Sequence, residues 1–176
     1  MHRLFVAVRP PEPILAQLLD LMEGVANARW QDDEQLHLTM RFIGEVDRHA
    51  AEDIAVALGN VRHDAFDIRL AGVGCFEKRG KGTLWAGLTP REPLKSLHKK
   101  IDQTCSHAGL QPETRAFHPH ITLASIGRET GPLELFLQRW AGLSSPDFAV
   151  DAINLYESTL GSTGASYTIV ARYPLG

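Results

Sequence analysis

The sequence predicts an α+β fold built from two similar lobes, and three features carry that prediction. Strand-like runs adjoin one another over 66–88 and again over 148–173, so the chain lacks the regular βαβα alternation of a parallel doubly wound sheet. A strand with one distinctive polar face, His37-x-Thr39 and then His120-x-Thr122, occurs once in each half, 83 residues apart. No Walker-type loop and no Gly-x-Gly-x-x-Gly follows any strand, which leaves nucleoside triphosphate and dinucleotide folds without support. A length of 176 residues then points to one two-lobed domain over 1–176 with an internal cleft.

The elements follow in order. Arg3 to Val8 reads as a first strand ended by Pro10 and Pro11, and Ile14, Leu15, Leu18, Leu21, Met22 and Val25 then recur at helical spacing. Ala28-Arg29-Trp30 is a short strand with Trp30 as a packing residue, and 31–35 is a polar connection. Leu36 to Phe42 is the first motif strand, running to Gly44. Asp47 is the candidate N-cap of a second helix carrying Ala50, Ile54, Ala57, Leu58 and Val61. Phe66 to Leu70 and Thr83 to Leu88 form a long hairpin, with the charged run Glu77 to Gly82 between them as a solvated loop. Leu94, Leu97, Ile101, Cys105 and Ala108 mark a third helix that Gly109 ends. The second motif strand follows, and Pro119 places it at an edge or at its first residues. Leu133, Phe136, Leu137 and Trp140 mark a short fourth helix, and strands over 148–155 and 167–173 close the chain around a turn at 161–164.

Composition narrows the setting. A formal charge of −3 argues against a long nucleic-acid surface, so any contact with a nucleic acid should be local, to an end rather than a tract. Cys75 and Cys105 read as two buried free thiols of a reducing cytoplasm. Leu4 to Val8 is too short for a signal segment and no apolar run is long enough to span a bilayer, so a cytoplasmic monomer with no membrane contact is expected.

Side chains alternate across a strand, which puts His37, Thr39 and Arg41 on one face and Leu36, Leu38, Met40 and Phe42 on the other. His120 and Thr122 share a face in the same way. Two imidazoles across a cleft can remove one proton and deliver another, and the hydroxyls can hold non-bridging phosphate oxygens. That scheme needs no metal and no cofactor. The competing chemistry is a metal site from His37, His118 and His120, but no Asp or Glu stands at ligand-like spacing near either motif and the threonines would be idle. A module that only binds a nucleotide or RNA end keeps every feature except turnover. His2, His49, His63, His98 and His107 read as surface residues.

The runs Arg29-Trp30, Leu36 to Val46, Leu84-Trp85-Ala86-Gly87 and Phe117 to Ala124 together resemble the bacterial and archaeal RNA 2',3'-cyclic phosphodiesterases. These are two-histidine phosphoesterases, also described as 2'-5' RNA ligases. The resemblance extends from Arg3 to Ser158-x-Leu160 and Tyr167. It implies two lobes of antiparallel sheet with outer helices, related by a pseudo-twofold around a central cleft that one motif faces from each side. It further implies hydrolysis of cyclic phosphate ends of RNA, or of nucleoside 2',3'-cyclic phosphates, to 2'-phosphomonoesters, with reversible 2'-5' joining of RNA ends in the same site. His37 would be the proton donor, His120 the proton acceptor, and Thr39 and Thr122 the phosphate-binding pair. Arg41, His118 and Arg128 are further candidates for substrate binding. One departure stands out: the family carries Arg behind Leu123-Ala124, whereas this chain has Ser125, and Arg41 is the expected compensating cation.

Overall fold

The computed structural model describes residues 1–176. In chain order the elements are β1 (His2–Val8), α1 (Glu12–Leu21), β2 (Arg29–Trp30), β3 (Leu38–Val46), α2 (Arg48–Leu58), β4 (Phe66–Lys78), β5 (Lys81–Thr89), α3 (Glu92–His107), β6 (His120–Ile126), α4 (Glu134–Arg139), β7 (Phe148–Val150), β8 (Ala152–Gly161) and β9 (Gly164–Pro174). Every strand pairing is antiparallel, in the order β7-β4-β5-β6-β3-β1-β8-β9, with the short β2 added to β6. The α+β class and the two lobes are as expected.

The motif strands β3 and β6 lie side by side at the centre, yet they pair only at Leu38 and Ile121. On one side of this seam stand β3-β1-β8-β9, and on the other β6-β5-β4-β7. The chain repeats itself as β1-α1-β3-α2-β4 and then β5-α3-β6-α4-β8, and the last strand of each half crosses over: β4 pairs with β5, and β8 with β1. The hairpin read from 66–88 therefore joins the two halves, and each lobe contains strands from both. Such exchange ties the lobes together through covalent chain as well as through the seam.

The helices bury one stripe each, as amphipathic spacing demands. Ile14, Leu15, Leu18 and Leu21 of α1 and Leu94, Leu97, Ile101 and Cys105 of α3 enter a single cluster of 34 buried residues. Asp47 caps α2 as expected, its carboxylate accepting from the Ala50 amide at 2.8 Å. α1 stops at Leu21, short of Val25, and the chain turns at Gly24, whose φ of 85° a side chain would resist. The charged loop expected over 77–82 is instead a continuation of the hairpin: Lys78 and Lys81 pair, and only Arg79 and Gly80, both at positive φ, make the turn. Both cysteines are free; Cys105 is buried as expected, whereas Cys75 is only half-buried, on a stretch of β4 that β5 flanks on one side and β7 does not reach. No helix is long and apolar enough to cross a membrane.

Candidate active site

The cleft face of each motif strand is shaped by an extra residue. In β3 the partners of Ala7 and Val6 are Thr39 and Arg41, so Met40 is bulged out of register. In β6 Trp85 pairs with Thr122 and Leu84 with Ala124, so Leu123 is the extra residue, at the equivalent place after the threonine. A bulge reverses the alternation beyond it. The residues brought back to the cleft are Phe42 and Ser125, each five places after its histidine, while Arg41 and Ala124 turn to the core.

This corrects the expectation for Arg41. It is 7% exposed and Phe42 is 42% exposed, the reverse of a regular alternating strand. Its guanidinium is spent on structure: Nε donates to Asp102 at 2.9 Å and the remaining nitrogens to the Phe42 and Gln111 carbonyls. Asp102 also accepts from the Glu113 amide. Arg41 thus fastens the loop that leads from α3 into the second motif, and although it lines the larger cavity its donors are engaged by Asp102 and two carbonyls.

His37 lies just before β3, on a segment held by Arg9, which donates to the Leu36 carbonyl at 2.9 Å, and by Gln35, whose amide reaches the Ala165 carbonyl at 2.9 Å. Its Nδ1 donates to the Gln35 carbonyl at 2.7 Å, which leaves Nε2 as the acceptor of the Thr39 hydroxyl at 2.9 Å. Phe5, Tyr167 and Tyr156 surround the ring, with centroids at 4.9, 5.4 and 6.3 Å. Burial among these rings pushes the imidazolium down to about 4, and Arg9 and His120 add to the fall against the opposing Gln35 carbonyl.

His120 opens β6 and repeats the device. Its Nδ1 donates to the carbonyl two residues upstream, that of His118, at 2.6 Å, leaving Nε2 toward the cleft. Phe76 and Trp85 flank it at 5.1 and 6.1 Å. Burial lowers its pKa too, against the opposing bond to the His118 carbonyl and with a smaller downward push from the His118 ring.

An open cavity of about 510 Å³ on the His120 side and one of about 280 Å³ on the His37 side meet at Thr39 and Phe42, which line both. Thr122 lines the second. His37, His120, Thr39 and Thr122 thus line two adjoining cavities, together with Arg3, Glu113 and Arg115, and the imidazoles, hydroxyls and guanidinium groups offer donors to an anion.

The other expected residues fare differently. His118 lines the larger cavity, and its carbonyl orients His120. Arg128 is exposed beyond the end of β6, close to Gly80 of the hairpin turn. His37, His118 and His120 do not come together with any third ligand set of the kind a metal ion needs. His98, read as a surface residue, is half-buried in the larger cavity, stacked on Phe117 at 4.2 Å and bonded through Nδ1 to the Met40 carbonyl. His2 likewise pairs with Glu157 at 2.7 Å. The aromatic walls were missed because Phe5, Phe76, Tyr156 and Tyr167 carry no motif of their own.

Comparison with known proteins places this geometry among relatives. The sequence model of the 2'-5' RNA ligase superfamily matches residues 10–161. A protein of Aeropyrum pernix named RNA 2',3'-cyclic phosphodiesterase is 31% identical over 162 residues, covering 88% of this chain and 92% of its own length. The Escherichia coli protein of the same name is 27% identical and covers 99% and 97%. Apo E. coli LigT superposes with a TM-score of 0.78 at 26% identity, covering 99% of this chain and 97% of that one, and LigT complexed with 3'-AMP gives 0.79 at 25% identity. Since the matched span takes in both bulged motif strands and the crossing strands of both halves, this chain belongs to the 2'-5' RNA ligase superfamily.

Proposed function

We propose that residues 1–176 act as one two-lobed RNA 2',3'-cyclic phosphodiesterase domain that opens cyclic phosphate ends, or nucleoside 2',3'-cyclic phosphates, to 2'-phosphomonoesters. The observation that supports this reading is the paired arrangement of His37 and His120: each Nδ1 is tied to the carbonyl two residues upstream, which leaves each Nε2 for proton transfer, and the two rings line adjoining cavities that share Thr39 and Phe42. His120, neutral, takes a proton from water as its oxygen bonds to phosphorus. His37, protonated in the complex, gives its proton to the departing 3' oxygen as the P–O3' bond breaks. Once Nε2 of His37 carries a proton it no longer accepts from Thr39, whose hydroxyl is then free to donate, with that of Thr122, to the non-bridging oxygens and hold phosphorus between the rings. Joining of a cyclic end uses the same groups with the 5' hydroxyl of a second RNA in place of water: His120 takes its proton as the P–O5' bond forms, the P–O3' bond breaks, and His37 protonates the 3' oxygen, leaving a 2'-5' phosphodiester. The protein works as a monomer in the cytoplasm, and its substrates are RNA ends.

The test is incubation with adenosine 2',3'-cyclic phosphate and separation of the products. Adenosine 2'-phosphate alone is expected. Release of the 3' isomer would overturn the assignment of the leaving oxygen, and binding without turnover would make this a binding module.

A further inference from the structure

Beyond Thr122 the cleft face of the second lobe continues as a ladder of cross-strand rows. Gly74, Trp85 and Thr122 form the row that carries the second motif's threonine. Phe76, Thr83, Ser125 and Arg29 form the next, because Ser125 pairs with Thr83 on β5 and with Arg29 on β2. Lys78 and Lys81 form the row after that. The face is fixed at both ends: Phe76 and Trp85 lie against His120, while Val73 and Cys75, one place out of phase, pack on the core. Glu77 falls in that opposite phase, so no carboxylate interrupts the rows. Arg29, Lys78 and Lys81 are exposed and make no ion pair, in a chain whose formal charge is −3.

We propose that Arg29, backed by Lys78 and Lys81, forms a subsite for the phosphodiester on the 5' side of the terminal nucleotide, Arg29 supplying from β2 the guanidinium that Ser125 lacks. Successive rows on one face are two residues apart, roughly 7 Å, the scale of one nucleotide step in an extended chain. Arg29 lies one row beyond Thr122, and Gln31, two places after Arg29, lines the His37-side cavity together with Thr122. The cation thus stands beside the next phosphate, with planar donors able to hold it. The subsite rests on the phosphodiesterase reading for which end of the RNA is bound, and it favours oligoribonucleotides over mononucleotides.

The experiment compares adenosine 2',3'-cyclic phosphate with a trinucleotide ending in the same group, for the native protein, Arg29→Ala, and Arg29→Ala with Ser125→Arg. The native protein should prefer the trinucleotide. Arg29→Ala should cut that preference roughly fivefold or more through KM, and lower the slope of log KM against log salt by about 0.7, one phosphate contact on a single strand. Adding Ser125→Arg should restore both. An unchanged preference ratio in Arg29→Ala, or an equal loss on both substrates, overturns the subsite. Lys81→Ala should give a smaller change of the same kind, and it covers the case in which Arg29→Ala fails to fold. If the native protein turns over neither substrate, the phosphodiesterase reading fails separately. The subsite is then judged by fluorescence anisotropy with a labelled trinucleotide 2'-phosphate, which Arg29→Ala must still bind roughly fivefold more weakly for the proposal to stand.

Discussion

The free protein should reach its best kcat/KM at an acidic pH, and Tyr167→Ser should move that optimum upward. Burial among Phe5, Tyr156 and Tyr167 holds the His37 imidazolium at about 4 against an ordinary 6.5, so at pH 7 about one molecule in a thousand carries the proton that the leaving oxygen needs. His120 must be neutral, and its pKa is also below the ordinary value. Because kcat/KM reports the free enzyme, its profile should plateau between the two pKa values, on the acid side of 6.5, and then fall about tenfold per pH unit. In the complex a phosphate anion beside the ring favours the imidazolium, so the optimum of kcat should lie closer to neutrality. Tyr167 meets the His37 ring edge-on at 5.4 Å, and replacing it with serine admits water and relieves the desolvation. The assay is initial rates on a nucleoside cyclic phosphate from pH 4 to 9, with the limbs assigned to the pair rather than to either ring. A native kcat/KM optimum at or above pH 7, or a profile that Tyr167→Ser leaves in place, would refute the reasoning.

Other perturbations have equally definite outcomes. Arg41→Ala leaves the Asp102 carboxylate without its partner and frees the loop at Gln111, costing about 3 kcal/mol and lowering Tm by roughly 6–12 °C; a calorimetric shift under 2 °C would show that the pair holds little. Urea unfolding should reveal stability that is full above pH 6.5 and declines as pH falls toward 4, because the unfolded chain binds a proton at His37 before the folded one does. His37→Asn should flatten that slope, and an unaltered slope would assign it to other groups. Thr39→Val and Thr122→Val should each lower kcat/KM by about tenfold or more as a phosphate donor is lost, and a kinetically silent double change would remove the hydroxyls from the mechanism. EDTA should leave turnover intact, since the proton transfers and donors all come from side chains; loss that zinc or manganese restores would contradict this.

Much of the fold was legible because it rests on local chemistry. The helical stripes, the Asp47 cap, the short strand at Arg29-Trp30 and the turn at 161–164 each leave a pattern within a few residues. The two lobes were visible through the repeated His-x-Thr. What escaped were features without periodic signatures. A bulge adds one residue without altering composition, so strict alternation sent Arg41 to the cleft and Phe42 to the core, the reverse of where Met40 directs them. The crossing of β4 and β8 is a long-range choice that no local pattern encodes. His98 became a cavity residue only through its stack on Phe117, which arrives from a different part of the chain.

The acid and base assignment is tested most directly by the two single changes His37→Ala and His120→Ala, measured on a nucleoside cyclic phosphate and on a phosphodiester with an activated leaving group. Each change should remove about 10²–10⁴-fold from turnover of the natural type of substrate. The activated leaving group needs little help from an acid, so it should rescue His37→Ala far more than His120→Ala. Rescue confined to His120→Ala would reverse the two roles, and a loss below tenfold in both variants would contradict the two-histidine mechanism for this chain.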